Sequence, residues 1–285
     1  MYKARHAWSF LIPAGLLLAV FSLIPAAAAL GLSFTKYNVF EQSVDWVGFD
    51  NFIKAFKDED FLQALKNTFY YWILVTPALV VLPVFLAILV NQKLIGIKLF
   101  RLTYYFPVLV SVVITAILWN WLFSSDGILN YLLSLVGISA VDWLTSTKMV
   151  MPSLALVTVW QGLGYYMLFY LAGLQSVPTD LYEASELDGA NFWQKHVHIT
   201  FPMLRPIIFF VAVVSTMSAF KEFTLMLTMT EGGPIGASTT VVYMVFHKAF
   251  KQLDMGYASA ISFLLFIIIM LLTLLNKTTL DKEST

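Results

Sequence analysis

An all-α integral membrane protein built as a bundle of six spans is the fold class that this sequence predicts, and three observations predict it. Hydrophobic residues make up 59% of the 285 residues and charged residues 12%, with a mean hydropathy of +0.79. Soluble domains stay at about half apolar, so this composition belongs to lipid. Six apolar runs reach the roughly 20 residues that a helix needs to cross the hydrocarbon, at about 8–32, 69–90, 102–123, 149–174, 207–229 and 257–275. Between the fourth and fifth lies a polar insertion, residues 176–206, whose pattern is that of folded protein. The chain is expected to form a single transmembrane domain over 1–285.

The first run follows Lys3 and Arg5 and exceeds the roughly 7–15 apolar residues of a signal peptide, so it reads as a retained first span. Orientation comes from the loop between runs two and three, where Lys93, Lys98 and Arg101 stand without an acid; the positive-inside rule makes it cytoplasmic. An even number of spans then puts both termini, with Lys3, Arg5, Lys277 and Lys282, on the same side. The first outer loop opposes this with Lys36, Lys54, Lys57 and Lys66, although it also carries Glu41, Asp45, Asp50, Asp58, Glu59 and Asp60. Acids count little in this rule, so residues 91–101 carry the orientation.

The second run holds Pro77 and Pro83 and the third Pro107, each of which removes an intrahelical hydrogen bond and tends to kink its helix. Trp119 and Trp121 read as an aromatic belt at the outer interface. In the fourth run, Gly162 and Gly164 let another backbone come close, while Gln161, Tyr165 and Tyr166 offer polar groups beside flat rings. Two readings stand here: stacking and hydrogen bonding of a sugar, or close helix packing through small residues. In the fifth run, Lys221 and Glu222 sit where an ionised side chain normally marks a pathway, a pair or a wet cavity. On a continuous helix Ser215 and Glu222 share a face, so Ser215, Ser218 and Glu222 are expected on the pocket side and Lys221 in a structural role. Snorkelling of the two charges toward the interface is the alternative.

The polar insertion carries its own local code. Asp180 with Glu183 makes a capping-box pattern that predicts a helix over about 181–188, and Gly189 supplies a left-handed stop. Asn191 caps a second short helix carrying Phe192, Trp193 and Ile199, with Pro202 closing it. Leu181, Tyr182 and Leu187 form an apolar stripe, and Ala184 and Gly189 permit close approach. Such a surface suits a cleft on another protein; an amphipathic connector lying on the bilayer is the competing reading.

Several classes are excluded. Zero net charge and a pI near 6.9 give no basic field for nucleic acid. Without cysteine there is no disulfide framework and no thiolate metal site. His6, His196, His198 and His247 fall outside the spans with no metal-binding spacing within one, so neither catalytic nor metal residues are expected. No Gly-Lys-Ser/Thr string marks a phosphate loop.

The string Glu183-Ala184-Ser185, Asp188-Gly189-Ala190, Ile199-Thr200-Phe201-Pro202 and Pro206 resembles the EAA loop of permease subunits of bacterial ATP-binding-cassette importers. Ser185 replaces the usual second alanine, Phe201 the usual leucine, and His196 a common aromatic. Val47-Gly48-Phe49-Asp50-Asn51-Phe52, Trp119-Asn120-Trp121-Leu122-Phe123 with Gly127 and Asn130, and Thr230-Glu231-Gly232-Gly233-Pro234 are similar to the carbohydrate-uptake subset of MalF type. The resemblance implies the six-helix type I (MalF/MetI-like) permease fold and a multi-pass subunit of the bacterial cytoplasmic membrane with both termini inside. It implies ATPase coupling through Glu183, Ala184, Asp188, Gly189 and Ala190, and a substrate path shaped by Gln161, Tyr165, Tyr166, Ser215, Ser218 and Glu222. The partners it implies are a second, MalG-like permease, an ATPase dimer and an extracytoplasmic solute-binding protein. No cofactor is expected in this chain, since ATP and Mg belong to the ATPase, and the chain itself is no enzyme. The side chains of the path suit a neutral oligosaccharide or polyol glycoside better than an anion. The rival is a secondary transporter with no ATPase partner, which usually shows an internal repeat with midmembrane carboxylates.

Overall fold

The computed structural model of the protein describes residues 4–38, 43–92 and 96–281. Lys3, Glu41, Lys93 and Lys282, which entered the reading of orientation, lie outside the described residues. Among the described residues, five helices are long and apolar enough to cross a membrane: Leu11–Ser33, Glu59–Val90, Val150–Ser176, Phe192–Phe220 and Met255–Leu275. Leu99–Leu109 and Val112–Leu122, two helices bent by 100° at a short break, make a sixth crossing when taken together as one span. The protein is therefore an α-helical, multi-pass membrane protein.

The chain divides into two compact units, Met1–Leu62 with Met244–Ile267, and Gln63–Tyr243 with Ile268–Thr285. In the first, the span Leu11–Ser33 contains a π-helical turn at Ala19–Leu23, two residues before Pro25. Proline lacks the N–H that an α-helix would use there, and a widened turn absorbs the mismatch. Beyond Ser33, β1 (Thr35–Tyr37) pairs antiparallel with β2 (Val44–Trp46), Thr35 opposite Trp46. The buried Asn51 amide donates to the carbonyls of Ser33 (2.9 Å) and Thr35 (2.8 Å), tying the helix Asp50–Lys57 to the hairpin. Tyr257, fully buried, donates its hydroxyl to Asp58 Oδ2 at 2.6 Å. Gly256 lies against the hairpin so closely that a methyl group there would stand 2.1 Å from the Thr35 carbonyl oxygen.

The second unit holds the main core, including Tyr71, Leu79, Met151, Leu154, Met167, Tyr170, Leu204 and Met226. Pro77 and Pro83 stay inside one helix, Glu59–Val90, longer at its start than the expected 69–90 because polar residues from Glu59 onward continue it. Tyr170 donates to the Val80 carbonyl at 2.9 Å, three residues before Pro83, which satisfies a backbone oxygen in the region that proline disturbs.

Two expected spans are corrected. The run 102–123 is no single helix: the chain turns at Val110 and Ser111, both extended, just after Pro107. Gly164 on the fourth span approaches this bent pair at the Tyr104 carbonyl, where a methyl group would be 2.1 Å away. The run 207–229 is likewise no single helix. Its helix ends at Phe220, Lys221 to Phe223 break it, and helical structure resumes before the π-turn Met226–Thr230. Adjacent charged residues cannot find two partners on one apolar helix face, and the chain leaves the helix instead.

Candidate functional site

The polar insertion folds as a locked pair of helices. The first runs Thr179–Leu187 with Pro178 at its N-cap, and no side chain caps it. The Asp180–Glu183 capping box is thus corrected: proline's fixed φ starts the helix two residues early, and Asp180 lies in its first turn. Gly189, at φ +77°, ends it with the paired bonds of a Schellman motif, Ala190 N–H to Ser185 O (2.9 Å) and Gly189 N–H to Glu186 O (3.0 Å). Asn191 then forms a complete capping box with Gln194, at 3.0 and 2.8 Å. The second helix does not close at Pro202. It passes through a π-turn, His196–Thr200, into the fifth span, so that Phe192–Phe220 is continuous. Pro202 falls at the start of the following α-helical stretch, where its missing N–H is tolerated.

Two side-chain links brace the pair, and a third contact within the second helix supports them. Lys195 Nζ meets Glu186 Oε1 at 2.7 Å, Tyr182 and Thr200 hydroxyls lie 2.8 Å apart, and His196 Nδ1 is 2.8 Å from the same Thr200 oxygen. The apolar stripe therefore splits: Tyr182 turns inward, while Leu181 and Leu187 stay exposed, Leu187 at 91%. Glu183, Ala184, Asp188 and Gly189 are exposed on the same short element, and Ala190 is half-buried. Asp180, Glu183, Glu186 and Asp188 make the element acidic.

The expected path residues lie on the fourth span, near the end of the fifth-span helix and, for Glu222, in the break that follows it. Gln161 donates its amide to the Val110 carbonyl at 3.0 Å, supporting the bend of the third span. Tyr165 is 41% exposed and packs edge-on against Tyr166 and Phe169, at 5.1 and 5.0 Å between centroids. Tyr166 is buried, with Ser218 near its hydroxyl. Ser215 is fully buried and spends its hydroxyl on the Val211 carbonyl of its own helix, at 2.7 Å. Its expected shared face with Glu222 is corrected, because the seven-residue spacing crosses the helix end at Phe220. Glu222 instead accepts from the Leu225 N–H at 3.0 Å and so caps the resumed helix, where the helix dipole favours a carboxylate. Lys221 is exposed.

Residues outside the sequence expectation gather in the same unit. Phe69, Trp72 and Phe220 form an aromatic cluster, with Trp72 Nε1 donating to Thr216 at 3.1 Å. The buried atoms Thr76 Oγ1, Thr115 Oγ1 and Asn120 Oδ1 have no hydrogen-bond partner. Inside a membrane bundle such groups gain from water or a polar solute. The aromatic run from Phe69 to Trp72 and the polar residues within the second and third runs were the available signals.

The loop 231–240 is held by Asn67, whose amide donates to the carbonyls of Gly236 and Thr239 at 2.9 Å each, and by Ser238 Oγ, donating to Gly233 O at 2.6 Å. Tyr243 donates to Glu231 O at 2.7 Å; burial first, and then the Glu231 charge, push its phenol above its ordinary value and keep it a donor. Ile235 projects from this loop 96% exposed, at φ +49°, a conformation rare for a β-branched residue.

The family described as the inner membrane component of binding-protein-dependent transport systems matches residues 52–279. The probable ABC transporter permease protein YesP of Bacillus subtilis is 37% identical over 273 residues, 94% of this chain and 88% of its own length. The lactose transport system permease protein LacF of Rhizobium radiobacter is 31% identical over 96% of this chain and 94% of its own. The sn-glycerol-3-phosphate transport system permease protein UgpA of Yersinia pestis is 33% identical over 90% and 88%. Among solved structures, a chain of a bacterial ABC transporter that imports the acidic polysaccharide alginate superposes with a TM-score of 0.86, at 24% identity, covering 99% of this chain and 96% of that one. The same fold recurs, with a TM-score of 0.84, in an alginate ABC transporter in complex with an alginate pentasaccharide-bound periplasmic protein.

Proposed function

This chain belongs to the family of inner membrane components of binding-protein-dependent transport systems, and from that premise we propose that it is the permease subunit of an ATP-driven sugar importer whose exposed loop 176–206 couples it to a separate ATPase. One observation carries the coupling: the helix Thr179–Leu187 is rigidly braced yet leaves Glu183, Ala184, Leu187 and Asp188 exposed. Acidic groups around an apolar tip fit a groove with basic walls and an apolar notch. Because the second helix of the pair runs without interruption from Phe192 to Phe220, a push on Leu187 reaches Phe220 through the Glu186–Lys195 and Tyr182–Thr200 links and that continuous helix. The break at Lys221 is where that motion would open or close the path.

The assembly consists of this chain, a second permease of MalG type, an ATPase dimer that binds ATP and Mg, and an extracytoplasmic solute-binding protein. Both termini and the loop face the cytoplasm. Ile235, stiffly presented at the other side, is a contact point for the binding protein. The chain is a transport subunit and catalyses no hydrolysis. The names of its relatives speak of lactose, arabinooligosaccharides and sn-glycerol-3-phosphate, all rich in hydroxyls. Tyr165 and Tyr166, Gln161, Ser218 and Glu222, with Ser215 behind them, favour a neutral oligosaccharide or polyol glycoside, since Lys221 alone offers a cation.

Purification of tagged chain from membranes in mild detergent tests this reading. Recovery of a second permease and an ATPase whose activity rises with one sugar and its binding protein is expected; recovery of the chain alone, active in liposomes without ATP, would make it a secondary transporter. Glu183→Lys reverses charge at an exposed site, so it is expected to cut ATPase recovery and uptake while membrane levels hold. Equal recovery in mutant and wild type would refute the coupling role. Tyr165→Ala removes an exposed ring from the fourth span and is expected to alter the sugar stimulation of the ATPase. Unchanged stimulation across sugars removes Tyr165 from the path.

A further inference from the structure

We infer that the short helix Asp50–Lys57 is a membrane-surface anchor, seated by Phe49, Ile53 and Phe56 in the headgroup layer of the leaflet where the first span ends. The apolar run of the first span stops at Ser33, and Thr35, Lys36 and Asn38 follow it, so Ser33 stands at the edge of the apolar layer. Phe34 is the next residue. Its ring stacks on Trp46 at 5.7 Å and meets Phe49 edge-on at 5.3 Å. Trp46 and Phe49 thus lie one ring layer from the end of the span, within the roughly 5–7 Å of headgroup region on each side of the hydrocarbon.

The helix that follows has three distinct faces. Asn51 and Ala55 are buried, and the Asn51 amide bonds to the end of the span fix the helix at that depth. Asp50, Lys54 and Lys57 form a charged face. Phe49, Ile53 and Phe56, spaced as one helical stripe, are 68%, 51% and 62% exposed, and Trp46 beside them 73%. An apolar aromatic stripe next to lysines is what the interface between water and acyl chains accommodates, rings in the headgroup layer and ammonium groups toward water. The first span likewise exposes large apolar side chains, Phe21, Leu23 and Ile24 among them. This assignment depends neither on the solute carried nor on the ATPase.

The chain has no cysteine, so each single substitution gives this chain one labelling site. Phe49→Cys, Ile53→Cys and Phe56→Cys, with Lys57→Cys as control, would each carry an environment-sensitive fluorophore in the intact transporter reconstituted in liposomes. Quenchers are lipids with a nitroxide high on the acyl chain, and iodide in the water. At the three apolar positions the lipid quencher is expected to act at least about two-fold more strongly than iodide, and at Lys57 the order is expected to reverse. Iodide dominating at the apolar positions overturns the anchor. So does shielding from both quenchers, with or without added binding protein, since a protein partner then covers the stripe. If Phe49→Cys fails to insert, the other two positions decide.

Discussion

Replacing Gly189 with proline is expected to abolish uptake and detach the ATPase while leaving the protein in the membrane. Gly189 holds φ +77° with nothing within 4 Å of where a side chain would start, so the conformation and not space demands glycine. Proline is fixed near φ −65° and also lacks the N–H that bonds Glu186 O. The Schellman stop fails, the first helix frays or overruns, and the face bearing Glu183, Leu187 and Asp188 loses its angle to the fifth span. A graded series separates this from mere crowding. Asparagine, which tolerates the left-handed region, is expected to retain most uptake, and alanine to fall between, having lost about 1 kcal/mol or more at this turn. Uptake is the measurement, with membrane abundance by immunoblot as the check; wild-type transport in the proline variant would show that the loop's angle does not matter.

Gly164→Ala is expected to be the most damaging methyl group that can be added to the second unit. It would place carbon 2.1 Å from the Tyr104 carbonyl oxygen and 2.9 Å from the Tyr105 Cα, backbone atoms that no rotamer change can move aside. The fourth span would have to withdraw from the bent third span, and membrane interfaces that rest on such close approach have no hydrophobic force to restore them. The Gln161 bond to Val110 O would be lost with it. Thermal unfolding in detergent and uptake in cells are both expected to fall sharply. Gly162→Ala is the milder comparison, since there the obstruction is the Leu79 side chain, which can shift. Equal behaviour of the two variants would contradict the packing assigned to Gly164.

Where a local rule governs, the residues are legible from sequence. Gly189 and Asn191 mark the stop of one helix and the start of the next, because a positive φ and a side-chain cap need only neighbouring residues. The Asp180 cap misleads because Pro178 competes for the same helix start and takes it. The bend in the third span is half legible. Pro107 announces a disturbance, but the 100° turn also depends on Gly164 and Gln161, some fifty residues away. Lys221 and Glu222 stand out as charges in an apolar run, and the structure takes both out of the helix that the run predicts. Glu222, three residues before the Leu225 N–H it receives, has the spacing of a cap, so the same rule that finds Asn191 could have found it. Thr76, Thr115 and Asn120 are legible as polar residues in apolar runs, but that their oxygens are buried and unpartnered becomes visible only when the spans are packed.

A site-specific cross-link from Leu187 decides whether the loop seats on an ATPase. This residue is 91% exposed on the braced helix, and the chain is free of cysteine, so Leu187→Cys gives one reactive point at the tip of the loop. With a short photoreactive cross-linker on that cysteine in native membranes, the account predicts a single adduct with the ATPase subunit, whose yield changes when ATP is added. A label that instead reacts with lipid, together with solute uptake that persists without ATP, would contradict it and make the loop a connector on the bilayer surface.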